Sequence, residues 1–176
     1  MIAGRLVGDA PPYADGSEAE IEPHLRRAVA ALDRQRPLDA EGDFNHYGSG
    51  YASYVDVFCF KSGGRSTVRR DNVDWIDGLS LYLCRLAPVA AFGPGQKTRH
   101  DRGGGYTFLR PESVGETPDG DWTAETRALA DVLGWYGFSV LSKEQLSAPL
   151  PFKAEVATIL ADPPYQVFDA LFYWED

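Results

Sequence analysis

The sequence predicts an α+β fold: one domain spanning 1–176, with an antiparallel or mixed sheet of about five or six strands and helices packed on one face. Two observations carry this. Helical apolar spacing marks two long stretches, one within Ser17 to Arg36 and one over about Trp122 to Tyr136. The interval between them is rich in aromatic and β-branched residues with near period-2 alternation. A chain of 176 residues, 44% hydrophobic and 24% charged, is long enough to bury a core as one domain without a disulfide or metal staple.

The first 16 residues, rich in Gly, Pro and Asp apart from "RLVG", read as a loop or short edge strand. In the first helix Ile21, Leu25, Ala28, Val29 and Leu32 form one stripe. It starts either at Ser17, whose spacing to Glu20 is that of a capping box, or just before Pro23, and Pro37 ends it. Tyr51 to Lys61 reads as a strand whose apolar run is broken only by Asp56. "SGGRS" (62–66) is a turn, and Thr67 to Arg69 is a short strand pairing back on it. Trp75 to Leu86 and Val89 to Phe92 are further strands. The glycine-rich segment Gly93 to Gly105 reads as a long hairpin loop, and Tyr106 to Leu109 as one more strand. In the last third, Asp121 or Thr123 caps the second helix and Gly137 ends it. Phe138 to Leu141 is a strand, and Ser142 with Gln145 makes a second capping box, its helix stopped by Pro149. Phe152 to Leu160 fits helix or strand. Val167 to Trp174, apolar except for Asp169, reads as a last, central strand.

Charge excludes several functions. The formal net charge of −9 repels phosphate backbones and anionic lipid, so neither nucleic acid nor a membrane surface is an expected partner. The charge is unevenly distributed: −5 over residues 1–60, +5 over 61–110 and −9 over 111–176. Such a bias is either a solvated surface or a face with a strong negative field. No window approaches the ~20 apolar residues of a membrane span, and "MIAGRLVGDAPPYADG" lacks the apolar core of a signal peptide. Cys59 and Cys84 sit in apolar runs, as small buried hydrophobes of a reducing compartment. The expected location is therefore the cytoplasm.

Motifs for chemistry are sparse. "GPGQKT" (93–98) ends like a phosphate-binding loop, but it lacks the glycine before Lys97 and a following helix. His24, His46 and His100 have no metal-ligand spacing, and no Cys-x-x-Cys occurs. Neither a nucleophile elbow nor a cysteine-protease signature is present. "RGGGYTFLR" (102–110) resembles an RNA-binding strand, with Tyr106 and Phe108 as stacking rings, but its third glycine stands where that pattern needs an aromatic. Tyr47, Tyr51 and Tyr54 make an aromatic patch that suits either an interface or a core strand. No catalytic residue, cofactor or metal is assigned.

"WYGFSVLSKEQLSAPL" (135–150), "VFDALFYWED" (167–176) and the helix "SEAEIEPHLRRAVAALDRQRPLD" (17–39) together resemble small acidic immunity proteins of bacterial polymorphic-toxin systems, the Imm52-like group. The resemblance implies a non-enzymatic cytoplasmic protein that binds and neutralises a cognate toxin, such as a nuclease with a basic cleft. The acids Glu112, Glu116, Asp119, Asp121, Asp169, Glu175 and Asp176 are the candidate contact patch, with Tyr173 and Trp174 as aromatic anchors. The alternatives are a small-molecule-binding or hydrolytic enzyme using His100 and Asp101 in the Gly93 to Gly105 loop, and an interaction or scaffold domain. A flat acidic face fits the first, and a concave pocket with positioned polar groups the second.

Overall fold

A computed structural model describes residues 11–14, 18–101, 103–153 and 155–175. The order of elements is α1 (Glu18–Arg34), β1 (Leu38–Asp43), β2 (Tyr51–Ala52), β3 (Tyr54–Lys61), β4 (Thr67–Arg70), β5 (Val73–Cys84), β6 (Val89–His100), β7 (Gly103–Tyr106), α2 (Thr123–Trp135), β8 (Ser139–Val140), α3 (Lys143–Ser147), α4 (Val167–Leu171) and β9 (Trp174–Glu175). Among the described residues the main sheet has seven strands. Its path is β1-β3-β5-β6-β7, with β4 also on β5 and β8 also on β6. Only the β6–β8 pairing is parallel, and β2 and β9 form a small separate antiparallel pair. The α+β class and the mixed sheet are those the sequence predicts.

Alternation along the central strands builds two cores. On β3, Val55, Val57 and Cys59 face α1 and α2, as do Leu79, Leu81 and Leu83 on β5; they meet Leu25, Leu32, Leu129 and Leu133. Each fully buried leucine contributes roughly 1.5–3 kcal/mol relative to exposure. Tyr54, Tyr82 and Cys84 face the opposite way, against Leu109, Val114, Leu146 of α3 and Phe168 and Leu171 of α4. The two long helices thus share one face, as expected, while the two short helices cover part of the other.

The local signals for α1 and α2 hold. All five stripe residues of α1 are buried. The helix starts upstream of Pro23, which lies inside it on the exposed side; Ser17 and residues 1–10 lie outside the described residues. Gly137 adopts a positive φ after α2 (φ 77), where Phe138 N–H bonds Leu133 O at 2.9 Å. Trp122, not Asp121 or Thr123, occupies the N-cap. The Ser142–Gln145 capping box forms as its spacing predicts.

Five expectations are corrected. Thr67 to Arg69 does not pair back on β3; β4 pairs forward with β5 across Asp71 and Asn72, both at positive φ, which suits a two-residue hairpin. Gly93 to Gly105 is not a loop: β6 runs through it, paired with β5 on one side and β7 on the other, and His100 lies exposed at the hairpin end. Its glycines allow close approach. Gly78 and Gly95 face each other in register, and a Cβ on Gly78 would meet Cys59 O at 2.5 Å and the Phe58 ring at 2.6 Å. The extra strand ends at Tyr106 rather than running to Leu109. Val167 to Trp174 is not a central strand. It forms α4, where Asp169 Oδ2 accepts the Gln166 N–H at 2.8 Å, followed by the short β9. An apolar run buried on several sides has no period to separate helix from strand. The described residues of Phe152 to Leu160 form neither helix nor strand.

Gly78→Ala forces the Phe58 ring and the β3 backbone aside and is expected to lower stability by about 1–3 kcal/mol in urea unfolding. Gly105→Ala, whose Cβ would come no closer than 3.7 Å to Thr98 Oγ1, is expected to stay within about 0.5 kcal/mol. Equal effects at the two positions would contradict the packing account.

Candidate functional site

Asp56 is the one charged residue inside the β3 apolar run, and alternation places it on the second face beside Tyr54 and opposite Tyr82 in register. It is buried. The turn before β2 puts His46 and Tyr47 at positive φ, and this bend carries the Tyr47 hydroxyl to 2.9 Å from Asp56 Oδ2 and 3.0 Å from Tyr54 Oη. One hydroxyl proton cannot serve both. It goes to the carboxylate, the stronger acceptor, and Tyr54 donates to Tyr47. Tyr82 donates to Tyr54 in turn, and its oxygen accepts the Leu109 N–H at 3.1 Å. The result is a chain of three tyrosines ending on a buried carboxyl. Burial pushes the Asp56 carboxyl up to about 7, with the Tyr47 hydrogen bond opposing and the Asp43 charge adding to the rise. Burial, then the Asp56 charge, holds the Tyr47 phenol far above the ordinary tyrosine range.

Two clefts open beside this chain. The first, about 450 Å³, is lined by Asp43, Asn45, Asp56, Phe58, Lys97 and Tyr106. Glu41 closes one side; Lys97 Nζ donates to it at 2.6 Å and Arg99 pairs with its other oxygen. Burial works against the Glu41 charge, but these hydrogen bonds outweigh it and hold the carboxyl below its usual range. The second cleft, about 410 Å³, has Tyr82, Phe168 and Phe172 in its wall together with Glu112, Asp162 and Gln166. Phe108, with its ring centroid 5.4 Å from Tyr47 and 5.5 Å from Tyr106, stands between the two.

The expected contact residues divide among these places. Glu112 and Asp169 line the second cleft. Glu116 is exposed and pairs with Lys143 at 3.5 Å. Asp119 and Asp121 are exposed ahead of α2, where Lys61 sits over the Trp122 ring and donates to Asp121 O. Hydrogen bonds from Thr123 hold the Asp121 carboxyl below its usual range. Glu175 lies in β9, paired with Tyr51. Tyr173 is buried in the second core and is not a surface anchor; Trp174 is half-buried against Tyr47, with Nε1 donating to Ser49 O at 3.2 Å. Asp176 lies outside the described residues. The acids therefore form no single patch with the C-terminal edge.

His24 Nε2 lies 3.0 Å from Tyr136 O, and His46 Nδ1 accepts the Ala52 N–H at 2.9 Å; burial lowers both imidazoles. Burial pushes the Cys84 thiol up to about 11 and Cys59 to about 12. Among the described residues no group of three or more His, Cys, Asp or Glu side chains is arranged to hold a metal ion, and no helix is long and apolar enough to cross a membrane. Sequence reasoning missed the Tyr47–Asp56 pair, for which the break that Asp56 makes in an apolar run was the only signal.

No protein-family model, curated protein or solved structure matches the chain.

The raised Asp56 pKa has a definite linkage sign. The folded state holds this proton up to about 7, whereas the unfolded chain releases it near ~3.9. Across that window the folded state binds more protons, so the Asp56 contribution to stability falls as pH rises, by at most about 1.4 kcal/mol per pH unit. Asp56→Asn is expected to remove this slope, so that the difference in unfolding free energy between variant and parent shifts in favour of the variant from pH 5 to pH 8. Parallel pH profiles for the two proteins would contradict it.

Proposed function

We propose that this chain is an immunity-type protein that catalyses nothing and acts in the cytoplasm by binding and neutralising a cognate toxin through an acidic surface. One observation carries the reading. The acids of the C-terminal third, Glu112, Glu116, Asp119, Asp121 and Asp162, stand exposed, and among the described residues only Glu116 of these has an ion-pair partner. Carboxylates facing water attract a basic surface, and the attraction acts at long range before contact. A nuclease cleft is basic because it holds phosphate, so an acidic inhibitor is complementary to it. Within the basic stretch, Lys97 and Arg99 are paired with Glu41.

Co-expression with a cognate toxin, sought among the products of neighbouring genes, is expected to restore growth, and failure by folded protein would overturn the reading. The combined variant E112Q/E116Q/D119N/D121N is expected to slow association with that toxin by about tenfold at low ionic strength and far less at high salt. An unchanged association rate in stopped-flow measurements would remove the electrostatic account.

A further inference from the structure

The first cleft holds a pair of acids for which the chain supplies no cation. Asp43 on β1 and Asp56 on β3 stand directly opposite each other in register, and both line the cleft of about 450 Å³. Like charges placed directly opposite each other destabilise a sheet. Neither acid has an ion-pair partner among the described residues, and the lysine of the cleft, Lys97, is taken by Glu41 at 2.6 Å. Asp56 is only 7% exposed, yet no hydrogen bond occupies its Oδ1: its one partner is the Tyr47 hydroxyl, on Oδ2. That oxygen keeps contact with solvent, and the cleft is where Asp56 reaches it. Asp43 Oδ1 accepts the Asn45 N–H at 2.7 Å, which leaves its Oδ2 open. The Tyr106 hydroxyl also has no hydrogen-bond partner among the described residues. Burial and then the charges of Asp56 and Asp43 raise this phenol, so the three groups act on one space.

Three single oxygens converging on one space match the three N–H donors of an ammonium. A guanidinium is best held by two oxygens of one carboxylate side by side, and here each carboxyl already has one oxygen engaged. The acids of the cleft are not grouped to hold a metal ion. Phe44 and Phe58 line the same cleft and give a carbon chain behind the charge an apolar wall. We propose that this cleft binds a primary ammonium group, on a free alkylamine or a lysine side chain, held by Asp56, Asp43 and the Tyr106 hydroxyl. The site is separate from the acids assigned to the toxin contact and does not depend on that reading. The groups facing Asp56 are Asp43 from β1, Tyr47 from the turn, Tyr54 and Tyr82 from β3 and β5, Lys97 from β6 and Tyr106 from β7. An ammonium takes the place of the proton that Asp56 holds up to about 7, so binding strengthens as pH rises.

The test titrates the full chain, labelled with ¹⁵N, with n-butylammonium chloride and in parallel with n-butanol, n-butylguanidinium and Nα-acetyl-lysine amide. Expected are saturable amide shifts at Asn45, Asp56 and Tyr106 with butylammonium, at millimolar affinity as befits one charged group, and none with butanol. Affinity is expected to rise about tenfold from pH 6 to pH 8. D56N is expected to weaken binding about tenfold or more, and D43N about threefold or more. D131N removes one exposed charge from α2, on the other side of the sheet, and should leave binding within about twofold. The backbone spectrum away from the cleft reports whether each variant is folded. Binding of the lysine probe as well as butylammonium assigns the site to lysine side chains; refusal of the lysine probe, with butylammonium bound, assigns it to free amines. Equal binding of butanol or butylguanidinium, shifts that map elsewhere, an affinity that does not change with pH, or indifference to D56N or D43N would each overturn the ammonium site.

Discussion

Burial of β3 and β5 on both faces is the constraint on which the rest of this structure depends. With side chains alternating sides, every second residue from Tyr54 to Phe60 and from Leu79 to Cys84 must find a separate apolar layer. On one face α1 and α2 supply that layer with regular helical stripes. On the other the cover comes from pieces: the segment after β7, α3, α4 and the aromatic residues between them. The unequal quality of the two covers is why the clefts beside Asp56 and Tyr82 open on the second face.

Polar groups on that face are retained only where they are satisfied. Asp56 sits among aromatic rings because Tyr47 donates to it, and the hydroxyls behind Tyr47 each have both a donor and an acceptor. The same chain joins the two clefts, since Tyr82 lines one and Asp56 the other. Glu41 is neutralised by Lys97 and Arg99, which reach it from the far side of the sheet across Phe58 and Phe60. The charges of these two cations are thereby balanced in part by Glu41. Fold and electrostatics are linked at this point: Gly78 leaves room for the Phe58 ring over which Lys97 passes.

The readable elements in the sequence were those whose signal is local. The α1 stripe, the Ser142–Gln145 box and the Gly137 stop are consequences of helix geometry and capping chemistry within a few residues. The break at Asp56 was equally visible, but a lone acid in an apolar run does not name its partner. Tyr47 reaches it through a turn with His46 and Tyr47 at positive φ, a conformation no spacing rule for these residues anticipates. Glu112 and Asp169 lie far apart in the chain and meet in one cleft, whereas the neighbouring Tyr173 is buried in the core.

By itself the amino-acid order determined the α+β class, the two long helices, the inward-facing cysteines and the acidic balance of the C-terminal third, because periodicity, capping and charge are properties of short windows. Tertiary structure alone decided that a glycine-rich stretch is the continuation of β6, that an apolar run is the helix α4, and that Tyr47 reaches the buried Asp56. Each of these depends on what lies opposite a residue in space. A glycine opposite a phenylalanine ring is a packing requirement, and the same glycine opposite water is a hinge; the chain order is identical in the two cases.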